Sequence, residues 1–206
     1  MGVGRLSLRE KPKDMPTKQA AAAVGQCELM YTYDKYFSEY GHTVGQILLT
    51  GSDLENTERS RNFKNTVERL LEMGALPIIN DTIATDEIAV GDNDTLAAIV
   101  TAETESDLLI LLSDIEGLYT KDPHKFSDAK LISEVPAITD EIRSLAGGSG
   151  SSLGTGGMHT KIHAAEICNG HGADMIIASG ADPDLLYDIM DGKQVGTRFY
   201  GRKMNL

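Results

Sequence analysis

An α/β fold, a three-layer sandwich around a mostly parallel central sheet, is what this sequence predicts, and two observations predict it. Segments of strand length alternate with segments of helix length from residue 16 to residue 199, and several strand segments are apolar throughout, as strands covered on both faces must be. The chain has 206 residues, 41% of them hydrophobic, enough for a single domain over 1–206 with a substantial core.

The elements follow in order. Pro16 to Tyr40 reads as a long helix, with proline suited to the first turn and Gly41 to the stop. Val44 to Thr50 is a short apolar strand, Asn56 to Met73 a charged amphipathic helix stopped by Gly74, and Leu76 to Ile79 a second strand. Asp94 to Ala102 is helical, Asp107 to Ser113 is an apolar strand, and Lys130 to Val135 is a weaker one. Thr139 to Ala146 and Gly157 to Asn169 are helices, then come a strand at Met175 to Ala178, a helix at Pro183 to Met190 and a last strand at Val195 to Phe199. Asn80, Ser113-Asp114 and Gly180 follow strands, and ligands of open α/β sheets gather at the carboxyl ends of strands.

Composition excludes several function classes. A net charge of −12 argues against nucleic acid as a main partner, and no apolar run approaches the roughly 20 residues of a membrane span. The N-terminus lacks a charged-then-apolar leader, so the chain reads as cytoplasmic. Cys27 and Cys168 stand in helical patterns without metal-ligand spacing and are expected to be buried free thiols. The five histidines show no HExxH spacing, and no metal site made by protein alone is implied; His159 and His163 are expected at the surface or beside a nucleotide.

Two glycine-marked loops carry the chemistry. In Gly154-Thr155-Gly156-Gly157-Met158-His159-Thr160-Lys161, glycines let backbone N–H groups close on an anion, and the following helix turns its positive end to the loop. Lys161 would lie in the first turn, where a cation opposes the dipole unless an anion is near; a flexible turn with a surface lysine is the alternative. Neither a Walker loop nor a dinucleotide fingerprint is present. The other loop, Gly91-Asp92-Asn93-Asp94-Thr95, lies in an acidic stretch with Asp81, Asp86 and Glu87. Asn93 or Asp94 would cap the next helix, or the carboxylates would bind an amino group or Mg²⁺ while the amide holds a carboxylate. The glycine- and serine-rich run Gly147 to Gly157 is either a loop over the nucleotide or a plain linker.

Separated blocks of the chain resemble the amino acid kinase family over essentially its whole length, and within it the members that phosphorylate L-glutamate. They are Lys18 to Gln26, Gln46 to Thr50, Pro77 to Asn80, Gly91 to Asp94, Leu111 to Tyr119 and Gly154 to Lys161. The resemblance implies the fold of that family and transfer of the γ-phosphoryl group of ATP, with Mg²⁺, to the side-chain carboxylate of L-glutamate, the first step towards proline. It implies glutamate binding by Asn80, Asp81, Asp92 and Asn93 and ATP binding by Ser113, Asp114 and Thr155, Gly156, Gly157, Met158, His159, Thr160 and Lys161. Lys161 would neutralise the transferring phosphoryl group and Asp94 would orient it, which makes these two the catalytic pair. A homo-oligomer and feedback inhibition by proline are further implications.

The chain departs from the family pattern in three places. It starts just after the family's first strand unit, whose glycine loop bears a second phosphate-binding lysine, and none of Lys11, Lys13 or Lys18 stands in a context that replaces it. The glutamate loop at Asn80-Asp81 is two residues shorter than the family's Asn-Glu-Asn-Asp, and the C-terminal PUA domain of some members is absent. This length of chain is therefore expected to be weak or inactive alone. Rival readings are another kinase of the family acting on acetylglutamate, aspartate or uridylate, a non-catalytic nucleotide-binding or regulatory relative, and a structural oligomer subunit joined through the alanine-rich helix.

Overall fold

The computed structural model describes residues 1–10, 12–82, 92–146 and 157–201, and the chain divides into two compact units, Met1–Val90 and Gly91–Leu206. The first contains α1 (Gly2–Arg5), α2 (Met15–Ser38), β1 (Thr43–Leu49), α3 (Gly51–Glu55), α4 (Thr57–Glu72) and β2 (Ala75–Asp81). Helix α2 starts where Asp14 accepts a 2.9 Å bond from the Thr17 N–H with Pro16 in the first turn, and Gly41 follows its end at φ 76°. Asn56 caps α4 by accepting from the Glu58 and Arg59 N–H groups, and Phe63 and Val67, one turn apart, are the residues that α4 buries. Strands β1 and β2 are parallel, in register from Thr43 with Ala75 to Leu49 with Asp81.

Helix α3 is an element that apolar periodicity does not show. Its signal is the capping box at Thr50-Gly51-Ser52-Asp53: Thr50 N–H donates to Asp53 at 2.8 Å and Asp53 N–H to Thr50 Oγ1 at 3.1 Å. The Thr50 hydroxyl and then its backbone N–H, both donating to the carboxylate, hold the Asp53 carboxyl below the usual range.

The second unit contains α5 (Asn93–Glu103), β3 (Leu108–Ser113), β4 (Glu134–Val135), α6 (Asp140–Leu145), α7 (Met158–Gly170), β5 (Asp174–Ser179), α8 (Leu185–Met190) and β6 (Thr197–Phe199). Its sheet runs β3-β5-β6-β4, with β3 parallel to β5, β4 parallel to β6, and β5 antiparallel to β6. Strand β5 explains why an apolar run is needed. Met175 and Ile177 join the core built with Ala98 of α5 and Ile162, Ala165 and Cys168 of α7, while Ile176 and Ala178 on the other face pack with Ile189 of α8.

Two expected strands are shorter than their sequence suggests. Of Lys130 to Val135 only the last two residues form β4; Leu131 instead makes an isolated antiparallel bridge with Tyr119 in the loop after β3, with Thr120 N–H donating to the Lys130 carbonyl and Ile132 N–H to the Leu118 carbonyl. Of Val195 to Phe199 the strand keeps Thr197 to Phe199, since Gly196 turns to φ 63°, where a Cβ would stand 2.0 Å from the Ile177 carbonyl oxygen. Thr197 is fully buried, and its hydroxyl accepts from Leu118 N–H at 2.7 Å and donates to the Ile132 carbonyl at 2.6 Å.

The expectation for the cysteines is half met. Cys168 is buried on the sheet side of α7, where burial pushes its thiol up to about 11. Cys27 is exposed instead, because α2 buries little of its surface, with Ala21 its one buried residue. Among the described residues no helix is long and apolar enough to cross a membrane.

Two outcomes follow from these contacts. Thr197→Val strands the Leu118 N–H in the core and is expected to cost about 1–3 kcal/mol in urea unfolding, with the slope unchanged. A thiol reagent at pH 8 is expected to label one cysteine rapidly in the native chain, and Cys27→Ser to abolish that fast phase, since a thiol held at about 11 presents almost no thiolate.

Candidate active site

The helix starts of α5 and α7 build the centre of the second unit. Asp94 is the second residue of α5 and Lys161 the fourth of α7. The Lys161 ammonium donates to Asp94 Oδ2 at 2.9 Å, and the Thr160 hydroxyl lies 2.9 Å from the same oxygen and 2.8 Å from the Gly157 carbonyl. Lys161 is only 9% exposed, and Asp94 is half-buried. A buried cation in the first turn of a helix opposes the dipole, so its position needs a neighbouring negative charge. Asp94 supplies one, and sits itself at the favourable end of α5. An ammonium has three N–H donors, so among the described residues two of those on Lys161 remain after the bond to Asp94.

Helix α7 has Gly157 as its N-cap, which offers no side-chain acceptor to the first N–H groups, although Thr160 N–H reaches the Gly157 carbonyl at 3.1 Å. Uncapped donors at a 13-residue helix with a lysine beside them are the chemistry of an anion site. His159 and His163 are exposed, and His163 Nδ1 stands 3.7 Å from Glu166. Thr155 and Gly156 lie outside the described residues, as does most of Gly147 to Gly157. A cleft of about 350 Å³ adjoins this helix start, lined by Met158 and, from the loop after β3, Leu118, Tyr119, Lys121 and Lys125. Sequence reasoning included Leu118 and Tyr119 in a block of family resemblance but did not single out Lys121 or Lys125, because the turn that gathers them is held by Thr197 of β6, far along the chain.

Ser113 and Asp114 are at the carboxyl end of β3. Ser113 is the last residue of the strand, paired with Ser179 of β5; its hydroxyl donates to Asp114 at 3.1 Å and its carbonyl accepts from Gly180 N–H at 2.7 Å.

The other acidic residues separate. Asp92, and neither Asn93 nor Asp94, is the N-cap of α5: it accepts from Thr95 N–H at 2.9 Å and from the Thr95 hydroxyl at 3.0 Å. The cap moved because α5 begins one residue earlier than its apolar period, leaving Asn93 as an exposed first-turn residue and freeing Asp94 to face Lys161. In the first unit, Asn80 and Asp81 are the last two residues of β2 rather than part of a following loop. Asn80 Oδ1 accepts from Asp81 N–H at 3.0 Å, and Asn80 Nδ2 donates to Gln26 of α2 at 3.0 Å. A cleft of about 520 Å³ lies here, with Lys18, Gln26, Asn80 and Asp81 on its walls.

A lysine held by an aspartate at a helix start without a side-chain cap is an arrangement suited to an anion, on a parallel-dominated α/β frame. Residues 4–179 match the amino acid kinase family, and the chain belongs to it. Among its relatives, glutamate 5-kinase of Clostridium tetani is 56% identical over 200 residues, 96% of this chain and 75% of that protein. Glutamate 5-kinase of Clostridium perfringens is 49% identical over 209 residues, covering 98% and 78%. Glutamate 5-kinase of Carboxydothermus hydrogenoformans is 54% identical over 204 residues, covering 98% of this chain but 55% of that protein. Among solved structures, isopentenyl phosphate kinase of T. acidophilum aligns over 97% of this chain and 78% of its own, with a TM-score of 0.61 and 15% identity. UMP kinase from Ureaplasma parvum aligns over 96% and 75%, at 0.56 and 13%. These two show the shared fold.

Asp92→Ala removes the cap of α5 and is expected to lower stability by about 1 kcal/mol in denaturant unfolding, with Asp92→Ser recovering most of the loss.

Proposed function

We propose that this chain transfers the γ-phosphoryl group of ATP to the side-chain carboxylate of L-glutamate, giving L-glutamyl 5-phosphate and ADP. The observation that carries the phosphoryl-transfer half is the Asp94–Lys161 pair at the start of α7. The glutamate half is supported by relatives about 50% identical over nearly the whole chain that are glutamate 5-kinases.

The residues suit the reaction. A glutamate side chain has a reference pKa of about 4.3, so the nucleophile is already ionised and needs no base. One carboxylate oxygen attacks the γ-phosphorus as the bond to the bridging oxygen of ADP breaks, and no proton moves. The obstacle is repulsion between two anions, so the protein has to supply positive charge and alignment. Lys161 directs its remaining N–H donors to the transferring oxygens, Asp94 and Thr160 keep it in place, and the N–H groups of Gly157, Met158 and His159 receive phosphate. Mg²⁺ enters with ATP and neutralises the phosphates. Ser113, Asp114 and the Met158–Tyr119 cleft serve the nucleoside side, joined by Thr155 and Gly156.

For glutamate, the family resemblance assigns Asn80 and Asp81 of the first unit and Asp92 and Asn93 of the second, carboxylates able to accept from an ammonium and amides able to donate to carboxylates. Proline, an α-amino acid like glutamate, would compete for the same groups, which supports feedback inhibition at that site. Assembly into a homo-oligomer and a cytoplasmic location belong to the same reading, on the strength of the family resemblance and the need for ATP.

ADP release that depends on glutamate, with the acyl phosphate trapped by hydroxylamine as the hydroxamate, tests the reading; N-acetylglutamate, aspartate and UMP should give none. Lys161→Met is expected to lower kcat about 10²- to 10³-fold with a much smaller change in the KM for glutamate. ATP binding without any transfer to glutamate, both by this chain and by one extended upstream through the family's first strand unit, would overturn the proposal in favour of a non-catalytic relative.

A further inference from the structure

Gln26 belongs to none of the residue sets assigned above, yet it is the side chain on which the amino-acid end of the site leans. Lys18, Ala22 and Gln26 stand at four-residue spacing on one face of α2, lining the cleft that Asn80 and Asp81 close from β2. The Gln26 carbonyl oxygen accepts from Asn80 Nδ2 at 3.0 Å.

The orientation of both amides is fixed by the backbone. Asp81 N–H can only donate, so the Asn80 atom 3.0 Å from it must be the oxygen. That turns Asn80 Nδ2 towards Gln26, whose facing atom must then be Oε1. Gln26 Nε2 is left pointing away, and it is buried with no hydrogen-bond partner among the described residues. A buried orphan donor is a cost to the folded chain, which an apolar side chain of similar length would not carry. Gln26 thus spends stability to hold one acceptor against Asn80, an arrangement that packing alone does not call for.

We infer that Gln26 is the positioning residue of the acceptor-substrate site: it fixes the rotamer of Asn80, and through Asn80 the backbone of Asp81, so that an α-amino dicarboxylate meets an amide donor and a carboxylate already aligned. The inference rests on the glutamate-kinase reading. A positioning role acts on substrate affinity through Asn80, whereas a merely structural role acts on folding. The two therefore separate in measurement.

The test is Gln26→Met, which keeps length and volume but has neither acceptor nor donor, examined beside Asn80→Ala and the double variant. Gln26→Met should raise the KM for glutamate about 10-fold, with the KM for ATP within about twofold of the unsubstituted chain and a urea midpoint equal or higher. The double variant should be no worse than Asn80→Ala alone, the signature of two residues acting as one unit. Gln26→Glu, which retains the acceptor for Asn80, should keep that coupling to Asn80 in the corresponding double variant.

Three results overturn the inference alone while the parent chain still phosphorylates glutamate: an unchanged KM in Gln26→Met, additive effects in the double variant, or a lowered urea midpoint that accounts for the lost activity. No glutamate turnover either by the parent chain or by one extended upstream through the family's first strand unit, in which the variants are otherwise measured, overturns the kinase reading itself and the inference with it.

Discussion

Everything in the second unit leans on one electrostatic requirement, that a buried ammonium at the wrong end of a helix dipole be compensated. Lys161 is placed where α7 opposes it, and Asp94 at the start of α5 meets it at 2.9 Å. The two helices can bring those groups together because both pack on the same face of the sheet, Ala98 from α5 and Ile162 and Ala165 from α7 sharing one core with Met175 and Ile177 of β5. Shifting either helix by a turn would leave a charge stranded in a half-dry place, so the sheet packing and the ion pair constrain each other.

The same economy appears in the polar contacts that cross long stretches of chain. Thr197 joins Leu118 and Ile132, and Arg198 pairs with Asp174, which also accepts from Gly201 N–H at 2.7 Å. These bonds close the antiparallel edge of an otherwise parallel sheet and shape the turn after β3 that lines the cleft beside Met158. The shape of this cleft thus depends on residues that do not line it. In the first unit the chain Gln26, Asn80, Asp81 does comparable work at smaller scale, using a backbone N–H to set the orientation of two amides.

Function in this family follows from placing charge rather than from activating a nucleophile. A carboxylate acceptor arrives ionised, so neither a catalytic base nor a perturbed acid is required, and the cysteine and histidines of the second unit can remain bystanders. Cys168 is packing material with its thiol pushed up by burial, and His159 and His163 sit at the surface. The amino acid kinase frame supplies helix starts, and side chains at the end of β2 and along α2 line a separate cleft in the first unit.

The sequence by itself determined the order and type of the major elements and marked Asp94 and Lys161, which the structure pairs. Strong periodicity, the apolar run of β3 and glycine stops at 41 and 74 are local signals that need no partner to be read. The glycine-rich approach to Lys161 and the acidic entry to α5 likewise stand in the letters. Tertiary structure decided what local signals cannot hold. Asp92 rather than Asn93 or Asp94 became the cap because Asp94 was drawn to a lysine 67 positions away. Lys130 to Ile132 did not extend β4 but formed an isolated antiparallel bridge with the Leu118–Thr120 stretch, and Gln26 acquired its place only when β2 brought Asn80 across 54 residues. In each case the deciding bond joins groups remote in sequence, and a chain read one window at a time contains no record of such a bond.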